Sequence, residues 1–303
     1  MFEQFLKEEK GKDQFSKSTP STQEPHTGKS LRNREAQKIK VVEARGKGDR
    51  NITCGGAVYL MNGSLVLLDT VYNCCCQYDH SLRYMREFKL SSKPHSVTDI
   101  GQDRIAVSLP EENMIQVLNV RDGITCTRNV YTDWPCYALA SAGDDKIVVC
   151  YEVKHKPEVV MINLDGDKKC TLYTSSSSGS SAAQVGIAYD KLRKRTCVAE
   201  GNSTVMCVIL KDGTERFRYF QESSFLDPVS SFCNGIDYDH EGNLYFITQH
   251  NGINQVSVNG DLLQHWTFNS PSPAALCFCP YGHDFVIVTT SGEVHYFSLK
   301  QII

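Results

Sequence analysis

The chain has 303 residues, 41% of them apolar, with a formal net charge of −3 and 13 cysteines. That is enough apolar material for a sizeable core, and no run approaches the ~18 apolar residues that a membrane-spanning helix needs. The charge is uneven: residues 1–50 hold 12 Lys/Arg against 8 Asp/Glu, whereas residues 51–303 hold 20 against 27. An acidic main body disfavours a nucleic-acid partner. The cysteine number is odd, and most cysteines sit inside apolar runs such as Lys146–Tyr151. They are expected to be reduced, small apolar residues in a cytoplasmic protein.

Residues 1–36 are rich in Lys, Glu, Gln, Ser and Thr and carry Pro20 and Pro25, so they are expected to form a disordered polar tail. Gly28-Lys29-Ser30 resembles the end of a phosphate loop, but Gln23 stands where that loop needs its first glycine. From residue 37 onward, tight-turn signals recur. One set is Asn62-Gly63, Gly101-Gln102-Asp103, Gly143-Asp144-Asp145, Asp190-Lys191, Glu241-Gly242-Asn243 and Gly282-His283-Asp284. A second set falls between them at Asp79-His80, Asp122-Gly123, Asp165-Gly166, Asp212-Gly213 and Asn259-Gly260. Gly, Asn and Asp tolerate the left-handed backbone of hairpin turns. Two hairpin turns in every ~40–50 residues give four strands per repeat, which predicts an all-β, six-bladed β-propeller of four-stranded antiparallel blades over residues 37–303.

The expected strands follow in order. Blade one takes 54–60, 65–69, 75–78 and 84–90, and blade two takes 94–100, 104–108, 114–120 and 124–130. Blade three takes 135–141, 146–151, 158–164 and 168–173, and blade four takes 183–189, 195–200, 204–210 and 214–220. Blade five takes 233–238, 243–248, 253–258 and 263–268. The last repeat offers three strands, 275–280, 284–289 and 293–299. Lys38–Ala44, in which Ile39 and Val41 alternate with Lys38, Lys40 and Val42, supplies the fourth. Pairing 38–44 with 293–299 closes the ring and removes an exposed sheet edge.

Blade five runs Asn234-Gly235-Ile236-Asp237-Tyr238-Asp239, then Glu241-Gly242-Asn243-Leu244-Tyr245-Phe246-Ile247, then Ile253-Asn254-Gln255-Val256 and Asn259-Gly260. This resembles the NHL repeat, with Thr248-Gln249 where the family has Ala-Asp. Blade one is similar in degenerate form at Asn62-Gly63-Ser64-Leu65. The whole resembles the propellers at the C-terminus of tripartite-motif (TRIM-like) proteins. In that family a RING finger and B-boxes carry ubiquitin-ligase chemistry and the propeller recognises. No Cys-x-x-Cys occurs in this chain and residues 1–50 hold no cysteine, so the four-ligand zinc modules are lacking. The resemblance implies a non-catalytic protein-interaction module, the substrate-recognition propeller of a TRIM-like ubiquitin-ligase system, from a truncated member or a fragment, with any ligase activity supplied by a partner.

Two alternatives come from other propellers. NHL propellers that bind single-stranded RNA need Lys/Arg beside stacking aromatics. The dense basic run Lys191-Leu192-Arg193-Lys194-Arg195 falls on a first hairpin turn, on the opposite rim from the usual binding face. Lactonase-like propellers hold a divalent cation with oxygen ligands, for which Glu111, Asn113, Glu200, Asn202, Asn234 and Asp237 are candidates. Cys74-Cys75-Cys76 with His80 offers at most two thiols and an imidazole on one side of a strand, so no metal or cofactor is expected. The partner is expected to be a protein, held by loops that converge on the rim of the second-to-third-strand connections. The residues expected to bind it are Tyr72, Glu111, Asn113, Trp134, Lys154, His155, Asn202, His250 and Asn251, with Tyr151 as a further aromatic anchor.

Overall fold

Aspartates at strand ends shape the turns. Asp69, Asp79, Asp190 and Asp239 each accept two backbone N–H groups from the residues that follow, at 2.8–3.2 Å. Gly63, Gly101, Gly143, Gly242 and Gly282 take up φ of 78–91° in the first hairpin turns, a conformation that costs other residues strain. The structure, a computed structural model, describes residues 34–143, 145–165, 169–175, 181–200, 204–209, 215–220, 235–248, 252–268 and 272–301.

Among them lie six four-stranded antiparallel sheets. The first comprises β2 (Cys54–Tyr59), β3 (Leu65–Asp69), β4 (Cys74–Tyr78) and β5 (Tyr84–Lys89). The second comprises β6 (Val97–Gly101), β7 (Arg104–Leu109), β8 (Met114–Asn119) and β9 (Thr125–Tyr131). Then come β10 (Cys136–Gly143) to β13 (Lys169–Thr174), β14 (Gly186–Asp190) to β17 (Glu215–Phe220), and β18 (Ile236–Tyr238) to β21 (Leu262–Thr267). The last sheet joins β22 (Pro273–Phe278), β23 (Asp284–Thr289) and β24 (Glu293–Gln301) to β1 (Arg34–Glu43), the first strand of the chain.

The innermost strands β2, β6, β10, β14, β18 and β22 each pack on the next, and β22 returns to β2. An apolar core fills each gap between neighbouring sheets, as where Leu68 and Cys75 of the first meet Ile105 and Val107 of the second. Second strands are covered on both faces: every residue of β3 and of β15 (Arg195–Glu200) is buried. The outer strand β9 is exposed except at Val130. This is a β-propeller of antiparallel four-stranded blades.

Most strands fall within two residues of their expected bounds, and five places differ, one being β6, which starts at Val97 rather than 94. The closing strand starts at Arg34, inside the expected polar tail, because β24 runs on to Gln301 and offers partners back to Arg34. The ladder shifts between Lys38 and Lys40, bulging Ile39. Ile39 and Val41 consequently point to solvent, 56% and 45% exposed. Val42 and Ala36 instead meet the cores, and Lys40 lies over the Tyr296 ring at 4.4 Å. The residues expected to open blade four's first strand form a 3-10 turn, Ala182–Gln184, capped by the Ser181 hydroxyl. β18 starts at Ile236 rather than 233, and residues 221–234 lie outside the described residues. No helix among the described residues is long and apolar enough to cross a membrane. The described cysteines are free thiols, most of them buried.

His95, just before β6, is fixed by its backbone N–H donating to Ser108 O and by the edge of the Tyr137 ring at 5.0 Å. Burial, reinforced by Lys93, pushes its pKa down to about 4. The folded state therefore resists a proton that the unfolded chain accepts near pH 6.5. Stability should fall as pH drops from about 6.5 towards 4, by about 2 kcal/mol between pH 7 and pH 5 from this residue. Urea unfolding at the two pH values checks this: His95→Gln should lose that part of the pH dependence. An unchanged dependence would show that His95 takes its proton without cost.

Candidate functional site

The end halves of the six innermost strands and their first turns enclose an axial cavity of about 400 Å³. Many of its lining residues are apolar, as expected of strands that pack on one another, but five charged residues line it: Asp99, Lys191 and Asp237, together with Asp190 and Asp239, whose carboxylates cap their own turns. Asp237 lies at the centre of β18, where its Oδ2 accepts the Phe278 N–H at 2.9 Å and its Oδ1 accepts the N–H of Tyr238 at 2.8 Å. Burial pushes its carboxyl up to about 6, against the pull of those two donors. Asp99 of β6 accepts the Gly101 N–H at 2.8 Å, and burial raises its pKa too. Lys191, on the turn after β14, bears electrostatically on both carboxylates and partly offsets these rises. Four carboxylates against one lysine make the cavity lining acidic. Around its mouth the turns expose apolar side chains: Met61 at 50%, Leu192 at 76% and, beside Pro280, Tyr281 at 59%.

The rest of the basic run serves the fold. Arg195 is 5% exposed; it meets Asp190 Oδ2 at 3.2 Å and donates to Val258 O at 2.7 Å and Gly242 O at 3.2 Å. Arg193 bonds Asp190 Oδ2 at 3.2 Å and Glu241 O at 2.8 Å. These arginines tie blade four to blade five. Lys191 and Leu192 of this turn are exposed, whereas Arg195 is buried.

The described members of the expected binding set lie on the other rim. Tyr72 follows β3, half exposed, with the Arg50 guanidinium 4.4 Å from its ring centroid. Glu111 is exposed in the 3-10 turn Pro110–Glu112, which Asn113 ends at φ 49°. Trp134 is 40% exposed, and its carbonyl accepts from the Thr132 hydroxyl at 2.8 Å. Lys154 and His155 form the two-residue turn after β11 (Lys146–Val153), at φ 51° and 62°, with His155 Nδ1 3.7 Å from Glu152. Asn202, His250 and Asn251 lie outside the described residues. Tyr151 corrects the expectation of an anchor: it is 2% exposed, packed in the core between the second and third blades.

The oxygen-ligand set of the lactonase-like alternative does not converge among the described residues. Glu200 is buried at the end of β15, accepting from Tyr173 Oη at 2.9 Å, whereas Asp237 lies in the axial cavity and Glu111 is on a surface turn. Among the described residues, the group of His, Cys and acidic side chains close enough to share a metal ion is Cys74, Cys76 and Glu87, whose ligand atoms lie within 4.8 Å of one another. The pair of thiols on one strand face was legible; their third neighbour is Glu87, opposite Cys76 in the ladder, and not His80. Arg50 Nη1 donates to Glu87 at 2.7 Å, while Nη2 donates to Cys74 Sγ at 3.0 Å and Asp69 at 3.3 Å.

Fold and site together define a β-propeller with an acidic axial cavity. No family model matches the chain, and no curated protein matches it. Among solved structures it is similar to virginiamycin B lyase from Staphylococcus aureus, with a TM-score of 0.61 and 12% identity over 88% of this chain and all of that one. It is also similar to a streptogramin B lyase, with a TM-score of 0.60 and 15% identity over 87% and 88% of the two chains. A catalytically inactive variant of the S. aureus lyase with quinupristin gives a TM-score of 0.60 and 14% identity over 86% and 99%. At this identity the likeness is one of fold.

Proposed function

We propose that this chain is a six-bladed recognition propeller that takes a protein partner at the mouth of its axial cavity. The observation that carries the reading is an acidic interior, Asp99 and Asp237, under a rim of exposed Met61, Leu192 and Tyr281. Apolar contacts around a central charged anchor supply affinity and register at protein interfaces. The fitting partner offers a Lys or Arg flanked by apolar residues. The NHL-like residues 234–260 support a recognition role. On that resemblance the propeller serves as the substrate receptor of a TRIM-like ubiquitin-ligase system, with the transfer chemistry on a partner. RNA finds less support, since Arg193 and Arg195 are engaged in the contacts between blades.

Peptides selected from a random displayed library against the folded chain test this. They should carry a basic residue beside apolar ones. Asp237→Asn should weaken their binding about 10–100-fold, the loss expected when a charge-assisted hydrogen bond goes, with no loss of melting temperature. Binding should also weaken as pH falls through about 6, where Asp237 gains its proton. Peptides without a basic residue, or equal binding by the variant, would contradict the proposal.

A second reading draws on the raised Asp237 pKa, which suits a carboxyl that takes or gives protons near neutral pH. In that reading the cavity is a catalytic centre of the lactonase-like kind. Turnover of ester or lactone substrates that is lost in Asp237→Asn would favour it.

A further inference from the structure

A second site lies apart from the axial cavity, where the loop from β1 to β2 covers the first blade. Cys74 and Cys76 project from the same face of β4 with their sulfurs 3.7 Å apart. Glu87 of β5 and Asp69 at the end of β3 flank them, being paired with Cys76 and Cys74 in the ladders. All four side chains converge on one cation, the Arg50 guanidinium, which is also 3.9 Å from Cys76 Sγ. The seat fits that cation imperfectly, because Arg50 Nε is buried without a hydrogen-bond partner among the described residues. Arg50 belongs to a loop outside the sheets, between β1 and β2, and its side chain and that of Glu87 keep 18% and 26% of their surface exposed.

The sulfur spacing separates two chemistries. A disulfide needs sulfurs about 2 Å apart and Cα atoms no more than about 6.8 Å apart. Residues i and i+2 of a strand are about 6.6 Å apart, at the edge of that range. A tetrahedral metal with sulfur bonds of about 2.3 Å places two thiolates about 3.75 Å apart, which matches the spacing present. We propose that Cys74, Cys76 and Glu87 form a binding site for a thiophilic divalent cation of the zinc type, which enters by displacing the Arg50 guanidinium. The two sulfurs and one carboxylate oxygen supply three ligands, and water supplies the fourth. Each thiol releases its proton to solvent as its sulfur–metal bond forms, so affinity rises with pH. Binding would free the loop that ties β1 to the first blade.

Titration of the reduced, chelator-treated full chain with Co²⁺, followed by competition with Zn²⁺, tests the site through its thiolate charge-transfer and visible absorption. One tetrahedral cobalt per chain is expected, and the signal should be absent in Cys74→Ser/Cys76→Ser. It should persist when the more accessible Cys126, Cys170 and Cys279 are replaced by serine. Glu87→Gln should weaken binding and Arg50→Gln should tighten it, each by about tenfold or more. The arginine variant gains binding and so remains informative if the cysteine variant folds poorly. Loss of the signal with the three accessible cysteines, or no tetrahedral signal in either the native chain or Arg50→Gln, would overturn the proposal.

Discussion

Deleting residues 1–44 should lower the melting temperature by at least ~10 °C and expose a sticky sheet edge. β1 pairs with β24 from Arg34↔Gln301 to Glu43↔Glu293, so its loss unpairs the outer edge of the last blade. It also removes Val42 and the 1%-exposed Ala44 from the core shared by the last and first blades, and Ala36 from the core between the fifth and the last. The Ala44 N–H to Gly292 O bond, at 2.9 Å, goes too. Apolar burial at roughly 25 cal/mol per Å² and the lost ladder together amount to about 5 kcal/mol or more. In a domain of this size each kcal/mol moves the midpoint by roughly 2–4 °C. Ile39→Ser, at the exposed bulge, is the matched control and should shift the midpoint by about 1 °C or less. Equal melting of the deletion and the control in calorimetry would show that the ring does not depend on this strand.

Phe285→Ala should cost about 3–5 kcal/mol, the range for truncating a buried aromatic ring. Phe285 is fully buried and stacks on Phe297 with ring centroids 5.0 Å apart and planes 10° apart. Phe278 lies at 5.1 Å and Tyr245 at 6.0 Å, so one ring joins β22, β23, β24 and β19 (Leu244–Ile247). The cavity left behind is walled by rigid rings on paired strands, which limits collapse and places the loss towards the upper part of that range. The urea midpoint should fall with the slope unchanged, and Phe285→Leu, which keeps most of the volume, should fall clearly less. A loss under about 1 kcal/mol in Phe285→Ala would mean that the interface of the fifth and last blades adds little to the stability of the ring.

The architecture was legible in the turn residues because Gly and Asp at strand ends act locally. The Asp239 carboxylate caps its own turn and bonds Asn243 Nδ2 at 2.8 Å and Tyr245 Oη at 3.1 Å, so an Asp-x-x-Gly-Asn pattern states its own geometry. The unpaired last repeat pointed correctly to a closing strand near Lys38. What local pattern could not show was the phase of that strand, because the bulge at Ile39 depends on a partner at the far end of the chain. The axial cavity was hidden for the same reason: Asp99 and Asp237 sit on separate blades and line one cavity only once the ring has closed. A signal for Asp237 did exist, an ionisable residue inside an innermost strand, between Ile236 and Tyr238. The Arg50 seat had none, since nothing in residues 45–53 announces that their arginine turns back onto two thiols.

Photocrosslinking shows directly whether the mouth of the axial cavity takes the partner. A library-selected basic peptide carrying a photoreactive group beside its Lys or Arg would be irradiated on the folded chain and the modified residues read by mass spectrometry. Adducts at Met61, Leu192 and Tyr281, suppressed in Asp237→Asn, are the predicted result. Adducts confined to Tyr72, Tyr131 and Trp134 on the opposite rim, unchanged in the variant, would contradict it.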